Sequence, residues 1–84
     1  MTRDHNEELA GLSTQELAAL ARDCLEALGR QGSKDAFAEL LQISPIVGEA
    51  LGVVARSLGE NSSWAQVGQI AGTTKQAAWS RWRS

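Results

Sequence analysis

Near the C-terminal end of the sequence, Thr74-Lys75-Gln76 is followed one helical turn later by Trp79-Ser80-Arg81, with Arg83 two residues on. Hydroxyls, a carboxamide and cations, with no carboxylate among them, suit phosphate oxygens and the edges of planar heterocycles. A glutamine carboxamide offers a donor beside an acceptor and can pair bidentately with adenine. Lysine matches the guanine acceptors or a phosphate, and threonine or serine serves either role. A helix opening at Thr74 adds its own N-terminal amides as a place for phosphate. The candidate site is therefore Thr74, Lys75, Gln76, Trp79, Ser80, Arg81 and Arg83.

No other chemistry has the residues it needs. His5 is the only histidine and Cys24 the only cysteine, so no zinc-ligand spacing and no nucleophile–base pair can be drawn. Cys24 falls on the apolar stripe of an expected helix, where a buried, inert thiol is the natural reading. Gly29 and Gly32 lack the strand-to-helix context of a phosphate loop, and Glu7 and Glu8 read as ordinary solvated acids. The expectation is a non-enzyme that needs no cofactor and no metal.

Five helices are needed to place these residues. Ser13-Thr14-Gln15-Glu16 is a capping-box pattern, and Leu17, Leu20, Ala21, Cys24 and Leu28 follow at helical spacing, which predicts a helix over about 14–28 closed by Gly29 and Gly32. Ser33 caps a second helix carrying Phe37, Leu40 and Leu41 and ending near Ile43. Ser44-Pro45 reads as a fresh start, with Ser as cap and Pro in the first turn of a third helix over 45–58. Ile46, Val47, Ala50, Leu51, Val53, Val54 and Leu58 cover more than half of that helix, so it is expected at the centre of the core. Gly48 and Gly52 suit close helix packing, and Gly59 fits the position just past the end. Ser62 or Ser63 caps a short helix over 64–71 bearing Trp64, Val67 and Ile70. Gly72 ends it, and Thr73 or Thr74 caps a last helix over 74–82. The fold class expected is all-α, with no strand, repeat or low-complexity tract.

Eighty-four residues make one small domain, divided here into a flexible N-terminus over 1–12, N-terminal helices over 13–43 and a core over 44–84. The net charge of −2 hides an asymmetry. Residues 1–60 hold all ten acids against five bases, whereas residues 61–84 hold three bases and no acid. A local positive block on an acidic body fits a small footprint on a phosphate backbone. A lone cysteine and the absence of an apolar run near the roughly 20 residues of a membrane span place the chain in the cytoplasm, away from membranes.

Two short helices joined by a glycine turn form a helix-turn-helix outline. Gly68 stands where the helices must cross closely, and Gly72 where the turn needs positive φ. Val67, Ala71, Ala78 and Trp82 then face inward, leaving Thr74, Lys75, Gln76 and Ser80 on the half of the last helix that would enter a major groove. Trp64 reads as a core residue, and Trp79 as either packing or base stacking.

The stretch "SWAQVGQIAGTTKQAAWSRW" resembles a bacterial helix-turn-helix segment found in small regulators and at the ends of longer DNA-binding proteins, through Trp64, Val67, Gly68, Gly72, Thr74, Lys75, Gln76, Ala77, Ala78, Trp79 and Arg81. The resemblance covers the last quarter of the chain and extends loosely to the helix at 45–58. It implies a C-terminal three-helix core that binds duplex DNA in a sequence-specific way and regulates transcription. Ala71 departs from the segment, standing where a larger aliphatic is common. The sequence also stops two residues after Trp82, so no wing is expected. A single three-helix unit with few bases binds DNA weakly, so a homodimer through the helices at 14–28 and 33–43 is expected, the alternative being that these helices complete a monomer core. The rival function is a module of the same fold that docks another regulator or a polymerase without touching DNA.

Overall fold

The computed structural model describes residues 5–84, with side chains from residue 7 onward. It is all-helical: α1 (His5–Ala10), α2 (Thr14–Gln31), α3 (Lys34–Asn61), α4 (Trp64–Ala71) and α5 (Lys75–Trp82), with no strand among the described residues. Part of the stretch read as a flexible terminus is thus the short helix α1. Residues 1–4 and the side chain of His5 lie outside the described residues.

The start of α2 follows from the sequence. Ser13 Oγ accepts the Glu16 amide at 3.1 Å, and Glu16 accepts the Ser13 amide at 2.9 Å, closing the capping box. The helix runs past Gly29 to Gln31 and stops at Gly32, whose φ of 58° is the left-handed conformation glycine adopts without a Cβ penalty. Ser33 Oγ then accepts the Ala36 amide at 3.0 Å and opens α3.

At Ser44-Pro45 the structure corrects the sequence reading. The two helices expected over 33–43 and 45–58 are one 28-residue helix, α3, with Pro45 inside it. Pro45 removes one backbone donor, the one that would reach the Leu41 carbonyl, but its fixed φ suits a helix and does not stop one. Gly59 is also not past a helix end: it lies inside α3, and a Cβ there would overlap the Trp64 indole. Gly52 lies against the Arg56 guanidinium and Gly48 faces open space, so neither seats another helix among the described residues.

The chain divides into two compact units, one reaching Leu41 and the other running from Gln42. In the first, Ala36 is buried where α2 turns into α3, while no residue of α2 is buried. Cys24, expected inside, is exposed, because its stripe on α2 has no full cover. In the second unit a small core gathers Ala55, Val67 and Ala78, flanked by Leu58, Trp64 and Trp82. The middle of α3, expected at the centre of that core, is instead open: Ile46, Val47, Leu51, Val53 and Val54 are all more than half exposed. As one continuous helix, α3 also passes the length and composition test for a membrane span, with Glu49 in its middle.

Candidate nucleic-acid interface

Local chemistry alone accounts for the two short helices. Ser63 Oγ accepts the Gln66 amide at 2.9 Å and opens α4. Gly72 ends it at φ 73°, with the Gly72 amide donating to the Gln69 carbonyl at 3.3 Å and the Thr73 amide to the Gly68 carbonyl at 2.8 Å. This nested pair is the Schellman arrangement that only a left-handed residue allows. Two residues later Thr74 Oγ1 accepts the Ala77 amide at 3.1 Å and opens α5.

Packing then fixes how α5 lies on α4. Gly68 is buried, and a Cβ on it would meet the Thr74 carbonyl carbon and oxygen at 2.8 Å. Only glycine lets the turn pass this close. Ala78 is fully buried and Trp82 half-buried, which sets the inner side of α5. Ala71, expected inward, is exposed: it ends α4 beside an open groove that no side chain of the unit fills.

With Ala78 and Trp82 inward, a helix advancing 100° per residue turns Gln76, Ala77 and Ser80 outward. These three are exposed, as are Lys75, Trp79, Arg81 and Arg83. By the same helical geometry Arg83 flanks the Gln76–Ser80 strip on one side and Arg81 on the other. Both arginines stack on indoles: the Arg83 guanidinium lies 4.6 Å from the Trp79 ring centre, and that of Arg81 lies 4.8 Å from the Trp82 ring centre. Trp79, at 41% exposure, thus carries a cation against its ring. Stacking limits the rotamers of both arginines, and it draws the Arg81 guanidinium onto the half-buried Trp82, where both line a pocket with Gly52, Arg56 and Ser84.

Thr74 differs from its neighbours. Its hydroxyl is already engaged by the Ala77 amide, so its principal part is to start the helix. Arg56, whose charge could have joined the patch, donates to the Ser84 carbonyl at 2.9 Å and to the Trp82 carbonyl at 3.4 Å, tying α3 to the end of α5. Sequence reasoning missed this link, since nothing local to Arg56 marks a partner 26 residues away. No cluster of three or more potential metal ligands exists among the described residues. No protein-family model, curated protein or solved structure matches this chain.

Proposed function

We propose that the second unit is a helix-turn-helix reader of duplex DNA, with α5 as the recognition helix, and that the chain is a small bacterial transcriptional regulator working in the cytoplasm. The observation that carries this reading is the outward strip of Gln76, Ala77 and Ser80 on a helix held by a glycine crossing and flanked by two indole-stacked arginines. Gln76 and Lys75 would contact base edges, while Ser80, Arg81, Arg83 and the α5 N-terminus at Thr74 would hold phosphates. One such unit presents a single short reading helix, so two copies acting as a homodimer would give the two half-sites that useful affinity requires.

A second reading is favoured by one feature. An apolar groove of about 280 Å³ beside α4, edged by Leu51, Val54 and the 72%-exposed Ile70, is better suited to a protein than to DNA. It lies apart from the outward strip of α5, so a module that docks a regulator or a polymerase through it needs no contact with DNA.

Selection from random duplexes distinguishes the two. A DNA reader enriches a defined sequence. Gln76→Ala then relaxes discrimination at one or two base pairs, whereas Arg81→Ala weakens every sequence alike. Enrichment of nothing by the folded protein rejects the DNA reading.

A further inference from the structure

Within the second unit, α3 and the end of α5 frame a pocket of about 430 Å³, inside the roughly 300–1,000 Å³ range of small-molecule sites. Charges of both signs line it: Glu49 and Arg56 from α3 and Arg81 from α5, beside the Trp82 indole. No ion pair joins Glu49 to either arginine. Nη1 of Arg56 donates to the carbonyls of Trp82 and Ser84 at 3.4 and 2.9 Å. The remaining N–H bonds of that guanidinium, on Nε and Nη2, have no partner among the described residues, and they form the fork that a carboxylate matches. The guanidinium lies against buried Gly52, where a Cβ would stand 3.1 Å from Nη1, so glycine is what seats the cation on the helix. Gly48, one turn earlier in the same lining, leaves its part of the pocket open, since a Cβ there would meet nothing within 4 Å.

We infer that this pocket binds a free α-amino acid, with its carboxylate on Arg56 and Arg81 and its ammonium on Glu49. A bare anion is a poorer match, because the Glu49 carboxylate shares the lining. A bare cation is poorer still, because two guanidiniums do. A zwitterion satisfies all three charges at once. The spacing agrees with a small one. Glu49 lies seven residues before Arg56 on the same face of α3, about 10 Å along the axis. An ammonium and a carboxylate on one carbon, each with a hydrogen bond to the protein, reach about 9 Å. The Trp82 indole and Val53 supply an apolar wall for the amino acid's side chain. The inference goes beyond the DNA reading and does not rest on it, and its test uses no DNA.

The test is equilibrium dialysis of the full chain against each standard amino acid in turn. At least one should be retained at one molecule per chain. Its des-amino acid, which keeps the carboxylate, and its amide, which keeps the ammonium, should each bind about tenfold more weakly, as expected when a charged hydrogen bond is lost. Glu49→Gln should weaken the amino acid about tenfold and leave the des-amino acid unchanged, whereas Arg81→Gln should weaken both. Both side chains are exposed, so the variants should keep the far-UV helix signal of the wild type. Folded wild type that retains no amino acid overturns the inference. So does binding that neither substitution changes, a des-amino acid that binds as tightly as the amino acid, or retention of inorganic phosphate in place of any amino acid.

Discussion

The Cα of Gly68 faces the carbonyl of Thr74 so closely that a Cβ would stand 2.8 Å from both its carbon and its oxygen. This one approach sets the crossing of α4 and α5, and Thr74 is also the residue that caps α5. Gly68→Ala should therefore destabilise the protein by about 1–3 kcal/mol, the usual cost of forcing an atom into a packed site. Gly48, by contrast, sits mid-helix in open space. Gly48→Ala should stabilise by about 0.5–1 kcal/mol. Urea unfolding of the two variants checks both signs.

A Cβ on Gly72 would meet nothing within 4 Å, so the constraint there is conformational, from a φ of 73°. Gly72→Ala should cost about 1–2 kcal/mol, and Gly72→Asn less, because asparagine tolerates the left-handed region better. Thermal unfolding of the two variants should rank them in that order.

Glu16 gives a pH dependence of known sign. Its carboxylate accepts the Ser13 backbone N–H, and the Ser13 side chain adds a smaller stabilisation of the ionised form, which together hold its pKa below the ordinary 4.5. A lowered folded-state pKa stabilises α2 above the unfolded value, and the contribution disappears as pH falls through the folded one. Loss of stability between about pH 5 and pH 3 should be smaller in Glu16→Gln, which keeps an acceptor but does not titrate. Equal losses in the two proteins would show that the box has no part in the acid transition.

How much of this was legible in the sequence divides by range. Ser13, Ser63, Thr74, Gly32 and Gly72 act on backbone groups within a few residues, and the helix starts and stops they encode are those found. Of the outward set expected on α5, Gln76 and Ser80 lie opposite Ala78 and Trp82, whereas Lys75, three residues before Ala78 and seven before Trp82, leaves the helix on their side although it is exposed. Pro45 misled because its start signal is local, while a long helix with apolar residues on both sides of it overrides that signal. Burial was least legible. A stripe such as Leu17–Leu20–Cys24 on α2, or Ile46–Val53 on α3, states that something should cover it but not whether the cover belongs to the same chain. The place of Gly59 beneath Trp64 and the reach of Arg56 to Ser84 depend on tertiary neighbours and left no trace in the local pattern.

The stacked arginines should matter through position as well as charge. Trp79→Leu keeps Arg83 but removes the ring 4.6 Å from its guanidinium. Affinity for duplex DNA should fall several-fold with the salt slope nearly unchanged, whereas Arg83→Ala should reduce the slope by about one unit. Titration of both variants at a series of salt concentrations separates the two effects.

The most direct measurement is a fluorescence titration of selected and scrambled duplexes at two salt concentrations, comparing wild type with Lys75→Ala/Gln76→Ala. Both side chains are exposed, so the double variant should keep its helix content. If α5 reads bases, wild type binds the selected duplex far more tightly than the scrambled one, binding weakens steeply with salt, and the double variant loses the preference. Folded wild type that binds neither duplex near the micromolar range, or a double variant that retains the full preference, would contradict it.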